Sequence, residues 1–420
     1  MAIHVISKSD NRQHASFDLL ESTQPLQPSS IRVRADLLGL TSNNLTYALG
    51  GTRLHWWDAY PVPATAPAPY NNNSAWGIVP AWGLATVQES TIPEIKPGTV
   101  FYGFWPTSSH AVDLQLNPAE PSGHWTEISA HRQNLMSLYN HYFLFDTKGK
   151  DLANFGWDAA VRPIWGAGYV LSEYIFTPDP ENHPPIHPLH ESQPWTVEDS
   201  DLSKAVFVSV AASTKTGRST AYNFFCRPPN AGPLGFLQVT SSPGAIAEAA
   251  EKFLPSFPVK AISYADVQDA SEWIVSLKPE KIVIADFGGR NGALDKLVAG
   301  IKRNAELQSA RVVVIAIGNQ QKVYTPTDLQ ASQESFAALS KLQMNTSGVK
   351  EAVMKARGPG VYFDELERRW NHWVENREHA APDLRIVWGE GVQGSNGIEG
   401  GWDALINSKV KPEEALVYRL

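Results

Sequence analysis

One stretch of the chain combines residue types and spacing suited to holding a phosphate group. Residues 206–213 form a continuous apolar run, broken only by Ser209, and pass directly into Ser213, Thr214, Lys215, Thr216, Gly217 and Arg218. A buried strand followed by small side chains and a helix start lets backbone approach a pyrophosphate, and the first helical amides supply donors and a positive dipole end. Hydroxyls and Lys215 stand here where glycines stand in the G-x-G-x-x-G fingerprint, which this segment lacks.

The next strand should end at Thr240-Ser241-Ser242. NAD-specific sites place a carboxylate there for the ribose hydroxyls. Thr240, Ser241 and Ser242 offer hydroxyls instead, and with the cations of Lys215 and Arg218 they favour a 2′-phosphate, hence NADP. Two later apolar runs end in Asp286-Phe287-Gly288-Gly289 and Ile317-Gly318-Asn319. Gly288 and Gly318 would let a flat nicotinamide ring lie against backbone; ordinary strand-to-loop turns are the bland alternative.

Rival chemistries fit less well. Ala212-x-x-x-x-Gly217-Arg218-Ser219 approaches the nucleoside-triphosphate loop, but Ala212 replaces its first glycine and Arg218 its lysine. A planar guanidinium does not act as that compact point charge. No Tyr-x-x-x-Lys pair exists for the proton transfer of short-chain dehydrogenases. The single cysteine, Cys226, excludes an intramolecular disulfide and a cysteine-rich zinc site. No metal site is expected: His183, His187 and His190 sit in a Pro- and His-rich segment, 178–194, where Pro184, Pro185 and Pro188 break any helical spacing and a solvated loop is expected.

The elements around these residues alternate. Between about 204 and 319, strands are expected at 206–213, 235–240, 259–264, 281–286 and 311–317, and helices at 217–225, 244–253, 270–277 and 293–303. That succession implies a doubly wound parallel sheet, whose ligands bind beyond the carboxyl ends of the strands. Residues 1–165 differ, with short β-like runs between Pro, Gly and Asn clusters and most of the 14 tryptophans. They suggest an irregular β-barrel or sandwich, with a helix over 130–143. Residues 336–378 read as helical and 415–420 as a closing strand.

Composition bounds the partners. Four hundred and twenty residues, 43% hydrophobic, suffice for two or three domains. A net charge of −8 argues against nucleic acid or an anionic membrane as partner. The N-terminus lacks a signal-peptide core and no apolar run reaches the roughly 20 residues of a membrane span, so a cytoplasmic protein with a small-molecule substrate is expected.

The chain resembles the medium-chain dehydrogenase/reductase superfamily, in its zinc-free, quinone-oxidoreductase-like branch. The matching stretches are Thr41-Ser42-Asn43-Asn44-Leu45-Thr46-Tyr47, residues 76–83 and 98–106, His131-Arg132 with Tyr139-Asn140-x-Tyr142, Arg162-Pro163, and Ser213-Thr214-Lys215-Thr216. The resemblance implies an α/β protein: a GroES-like, β-rich catalytic domain (1–165), a Rossmann NADP-binding domain (166–330), and a return to the first domain (331–420). It implies hydride transfer from NADPH to an activated alkene or carbonyl in a cleft between the domains. Homodimers are common in the superfamily. The loop of Asn43, Asn44, Thr46 and Tyr47 would face the cofactor, with an amide stabilising a developing oxyanion and Tyr47 supplying a proton. A turn at Asn43-Asn44 and a packed Tyr47 are the structural alternative. Trp56, Trp57 and Tyr60 would line a planar pocket or the barrel core, His55 reads as a surface residue, and Arg132 suits interdomain structure better than catalysis. An NADPH-binding protein without turnover, and a non-redox dehydratase or cyclase, remain the competing functions.

Overall fold

The computed structural model describes residues 1–20, 24–148, 152–189 and 192–420. They divide into two compact units: Met1–Pro163 with Gln321–Val323 and Arg385–Leu420, and Ile164–Gln320 with Tyr324–Leu384. The closing stretch Arg385–Leu420 and the short segment Gln321–Val323 thus group with the amino-terminal residues.

The first unit is built on an eight-stranded sheet with a separate three-stranded one. Strand Ser30–Leu40 pairs with Pro80–Ser90 on one side and with Val112–Ala119 on the other. Through Val100–Pro106, His141–Leu144 and His124–Glu127 the sheet closes on itself, leaving no free edge around that ring. Glu414–Arg419 and Arg385–Glu390 extend it beyond Ser30–Leu40.

The core of this unit is aromatic. Trp56, Trp57 and Tyr60 are buried in it. Arg132, 1% exposed, lies over the Tyr60 ring at 4.4 Å and donates to the Tyr142 hydroxyl at 2.7 Å and the Ala59 carbonyl at 3.0 Å. Arg132 is thus an internal tie of this unit, not an interdomain residue. The helix expected over 130–143 is instead two short 3-10 turns, Ala130–Arg132 and Ser137–Asn140, followed by strand His141–Leu144. One true helix follows the long strand: α1 (Ser42–Gly50).

The second unit carries the parallel sheet. Its strands are β1 (Ala205–Val210), β2 (Gly235–Thr240), β3 (Val259–Ser263), β4 (Lys281–Asp286), β5 (Arg311–Ala316) and β6 (Leu342–Gln343). Between them run α2 (Lys215–Phe225), α3 (Pro243–Phe253), α4 (Ala270–Ser276), α5 (Ala293–Arg303) and α6 (Pro326–Ala338), and beyond β6 lie α7 (Thr346–Arg357) and α8 (Pro359–Glu375). Every β1 and β2 residue is buried, which is why both read in sequence as predominantly apolar, interrupted only by Ser209 in β1 and by Gln238 and Thr240 in β2.

The spatial order is β3-β2-β1-β4-β5-β6, with every pairing parallel. The chain winds outward from β1 in one direction and then returns past it in the other. The crevice between the carboxyl ends of β1 and β4 is accordingly the topological switch point, where such sheets bind ligands. Among the described residues no helix is long and apolar enough to cross a membrane.

Candidate functional site

β1 ends at Val210, and the chain turns through Ala211, held at φ 64°, a left-handed conformation that is uncommon outside glycine. The turn is pinned by the Ala212 amide, which donates to the Val239 carbonyl at 3.0 Å, and by Thr214. Thr214 caps α2: its hydroxyl accepts from the Gly217 amide at 3.1 Å and donates to the Ala211 carbonyl at 2.9 Å. Gly217 is required by contact. A Cβ there would lie 2.8 Å from the Ala212 carbonyl oxygen and 3.0 Å from its Cα. The helix therefore begins hard against the strand end, with the first-turn amides at the switch point.

Of the side chains expected to meet a phosphate, Lys215 and Thr216 are half-buried in that first turn, and Ser213 is buried. Arg218 corrects the sequence reading. It is 3% exposed, its Nε donates to the Ser213 carbonyl at 2.9 Å, and its two terminal nitrogens fork Asp383 at 2.7 and 2.8 Å. With all three nitrogens engaged inside the unit, Arg218 braces the loop and is not available to a 2′-phosphate. Asp383 lies 165 residues downstream, and no sequence signal paired the two.

At the end of β2, Thr240 is fully buried and its hydroxyl accepts from the Ser242 amide at 3.1 Å. Ser241 is exposed and Ser242 half-buried, immediately ahead of α3, with no side-chain cap from Ser242. Two hydroxyls thus stand at a helix start where an NAD site has a carboxylate. Tyr264 follows β3; burial pushes its hydroxyl pKa up to about 12, against the pull of Arg290.

The loops after β4 and β5 pack on each other. Gly288 has φ 103°, and a Cβ on it would fall 2.5 Å from the Asn319 carbonyl oxygen; one on Gly318 would fall 2.9 Å from that of Phe287. The close approach of the two loops accounts for both glycines without a ligand. Next to them Asp286 accepts from the Gly288 and Gly289 amides at 3.1 and 2.8 Å, with Lys341 Nζ at 3.9 Å. Burial raises the Asp286 carboxyl pKa, opposed by those two amides and by Lys341. The Asp286–Lys341 pair escaped sequence reasoning, because nothing local to Lys341 signals it.

In the first unit the expected Asn43-Asn44 loop is the start of α1. Thr41 caps the helix through the Asn43 amide at 3.2 Å, and the Asn44 Oδ1 reciprocates by accepting from the Thr41 amide at 2.8 Å. The Asn44 Nδ2 donates to the Pro80 carbonyl at 2.9 Å. Both ends of that amide are thus engaged in structure, Oδ1 in the cap and Nδ2 in a tie to Pro80.

Tyr47 is 6% exposed and boxed by Trp56, Phe104 and Tyr139 with ring centroids 4.9–5.7 Å away. Its hydroxyl accepts from Trp82 Nε1 at 3.1 Å. Burial raises its pKa to about 12, with Trp82, Tyr139 and Asn43 as opposing hydrogen-bond partners. Asn43 and Thr46 are half-buried on the same helix. His55 makes a partly exposed contact with Asp58 at 2.9 Å, in keeping with a surface residue.

The carboxyl edge of the parallel sheet thus gathers Ser213, Thr214, Lys215, Thr216, Gly217, Thr240, Ser241, Ser242, Gly288 and Gly318. Of the three histidines in the Pro-rich segment, His190 lies outside the described residues; His183 contacts Glu173 at 3.7 Å and Glu365 at 3.3 Å. Among the described residues no group of three or more His, Cys, Asp or Glu side chains is placed to hold a metal ion.

Similarity to solved structures covers the whole chain at low identity. A mutant form of enoyl thioester reductase from Candida tropicalis matches with a TM-score of 0.50 at 12% identity, covering 100% of this chain and 99% of that one. CurA from Vibrio vulnificus in complex with NADPH matches at 0.52 and 11%, with 100% and 99% coverage. Escherichia coli quinone oxidoreductase complexed with NADPH matches at 0.50 and 13%, with 100% of both chains covered. At these identities the likeness is one of fold. No curated protein matches the sequence. A family model matches residues 38–411, most of the chain, and the protein therefore belongs to the family described as "Protein of unknown function (DUF2855)".

Proposed function

We propose that the protein is an NADPH-dependent oxidoreductase of the zinc-free medium-chain type, pairing a GroES-like catalytic unit with a Rossmann unit. The observation that carries this reading is the placement of the Thr214-capped start of α2 at the switch point between β1 and β4, with Gly217 seated on Ala212. Backbone close to backbone, first-turn amides and a dipole end are what a pyrophosphate requires.

The residues present fit a phosphorylated dinucleotide. The first turn of α2 would hold the pyrophosphate, with Lys215 beside it. Ser241 and Ser242 would meet the 2′-phosphate, since neither a carboxylate nor a bulky side chain occupies that strand end. When bound, the nicotinamide supplies a hydride to the acceptor. Solved structures of like fold are described with such ligands: the Vibrio vulnificus and Escherichia coli proteins with NADPH, and Etr1p with NADP and crotonyl-CoA. They support an acceptor with a polarised C=C or C=O bond.

On α1, Asn43 and Thr46 are the polar groups left for an acceptor oxygen once Asn44 is committed to its cap. Tyr47 keeps its proton throughout the neutral range and orients Asn43 from inside the aromatic box. Steady-state assays that follow NADPH consumption with enones, quinones, enoyl thioesters and ketones test the proposal: oxidation with one of these classes supports it. A protein that binds NADPH and oxidises it with none of them would fit the second reading, a binding protein without turnover. The structural commitment of Asn44 is what favours that alternative.

A further inference from the structure

A cavity lies among the segments that lead into the amino-terminal ends of β1 and β2, at the opposite end of the strands from the proposed cofactor edge. It measures about 140 Å³ and is lined by Ser200, Ser203, Thr177, Asn230, Ala231 and Arg227, among others. That is far more than the roughly 10–15 Å³ one water needs.

Arg227 is the unusual member. It is 8% exposed, and among the described residues no carboxylate lies within ion-pair distance of it. Its Nη1 donates to the Ala231 carbonyl at 3.1 Å and its Nη2 to the carbonyls of Ser172 and Phe176, while Nε has no partner. The guanidinium carbon sits 4.2 Å from the centroid of the Phe224 ring. Burial pulls its pKa down to about 10, with Glu173 acting against the fall and Arg369 with it, so the group stays charged at neutral pH. A buried cation whose direct contacts are carbonyls and a ring face, with Nε unpartnered and no carboxylate in ion-pair contact, is stabilised further when a counter-charge joins it.

The lining supplies further donors. The Ser200 hydroxyl accepts from the Thr177 amide at 2.8 Å, and the Thr177 hydroxyl from the Asp179 amide at 3.0 Å, which leaves each with a proton to give. The Asn230 amide stands at the exposed rim. The one carboxylate in the lining, Asp201, is turned to the amide and hydroxyl of Ser203, both at 2.8 Å.

We propose that this cavity binds a compact oxyanion of the phosphate class. Arg227 is its charge partner, and Ser200, Thr177 and Asn230 are its hydrogen-bond donors. The ion completes a tie between the segment 172–177, the end of α2 and the turn into β2, so it stabilises this unit without entering the cofactor site.

Calorimetric titration of the full chain with inorganic phosphate, against sodium chloride of equal ionic strength, tests this. The expected result is saturable binding at one site. Asn230→Ala and Thr177→Val, which leave the Arg227 contacts to carbonyls in place, should each raise the apparent Kd about tenfold, the loss of one hydrogen bond to a charged group. A phosphate monoester such as glycerol phosphate forms the second arm: tighter binding than inorganic phosphate identifies an esterified ligand, and weaker binding identifies the free ion. Absence of saturable phosphate binding, or an unchanged Kd in both variants, would overturn the proposal.

Discussion

Gly217 and Ala212 touch: the hydrogen that replaces a side chain on Gly217 faces the Ala212 carbonyl oxygen, where a Cβ would sit only 2.8 Å away. The contact fixes how closely α2 approaches the end of β1, and therefore where its first-turn amides point. Gly217→Ala must push helix and loop apart. Overpacking of this kind costs about 1–3 kcal/mol. Thermal unfolding should report that loss, and NADPH affinity should fall by a larger factor than the affinity of any ligand bound elsewhere. Unchanged NADPH binding in a folded Gly217→Ala variant would remove the loop from the cofactor site.

Arg218 and Asp383 form a bidentate pair with side-chain exposures of 2% and 25%. Arg218→Ala removes the buried partner and leaves the quarter-exposed Asp383 and the Ser213 carbonyl without their donor, so it should cost about 1–3 kcal/mol in urea unfolding. It should leave the ratio of NADPH to NADH affinity alone, because the guanidinium is not a phosphate ligand. Ser241→Asp should do the reverse. Exposed at the end of β2, it should change stability little while cutting NADPH affinity about tenfold and favouring NADH.

His4 is fully buried in the first unit, with its Nε2 3.0 Å from His14 Nδ1. Burial, and then His14, lower its pKa from 6.5 to about 3. The unfolded chain therefore takes up a proton between pH 6.5 and 3 that the folded chain refuses. Its contribution to stability is fully present above pH 6.5 and is lost as pH falls toward 3, at roughly 1.4 kcal/mol per pH unit. Unfolding midpoints measured across that window should fall with acidification, and a folded His4→Gln variant should show a shallower slope.

Tyr47 titrates in the opposite direction. Its folded pKa of about 12 lies above the ordinary 10.0, so its stabilising effect is intact below pH 10 and is lost as pH rises through 12. Tyr47→Phe deprives Trp82 Nε1 of its acceptor and should cost about 1 kcal/mol. As a positioning residue for Asn43, Tyr47 should shift KM for the acceptor more than kcat when replaced. A loss confined to kcat, with a changed pH profile, would make it the proton donor instead.

The parallel sheet was legible in sequence because its physics is local. Strands such as β2 and β4 are buried on both faces and bounded by turn residues, and the expected limits 235–240, 281–286 and 293–303 match the structure residue for residue. Reading was harder where side chains are held by distant partners. Residues 130–143 carry helix-like spacing, yet Arg132 is drawn inward by Tyr60 and Tyr142, and the segment ends as a strand paired with Phe101 and Tyr102. Thr41 and Asn44 form a capping box with an amide in place of the usual acid, so the spacing is visible in sequence but fits a reactive loop and a structural turn alike. The commitments of Arg218 to Asp383 and of Asn44 to Pro80 join residues 165 and 36 positions apart. Hydrogen bonds of that kind carry no periodic signature.

The most direct test of the central claim is a fluorescence titration of the full chain with NADPH and with NADH at one ionic strength. Saturable binding of NADPH, about tenfold or more tighter than NADH, is the expected result. Binding of neither dinucleotide by the folded protein would contradict it.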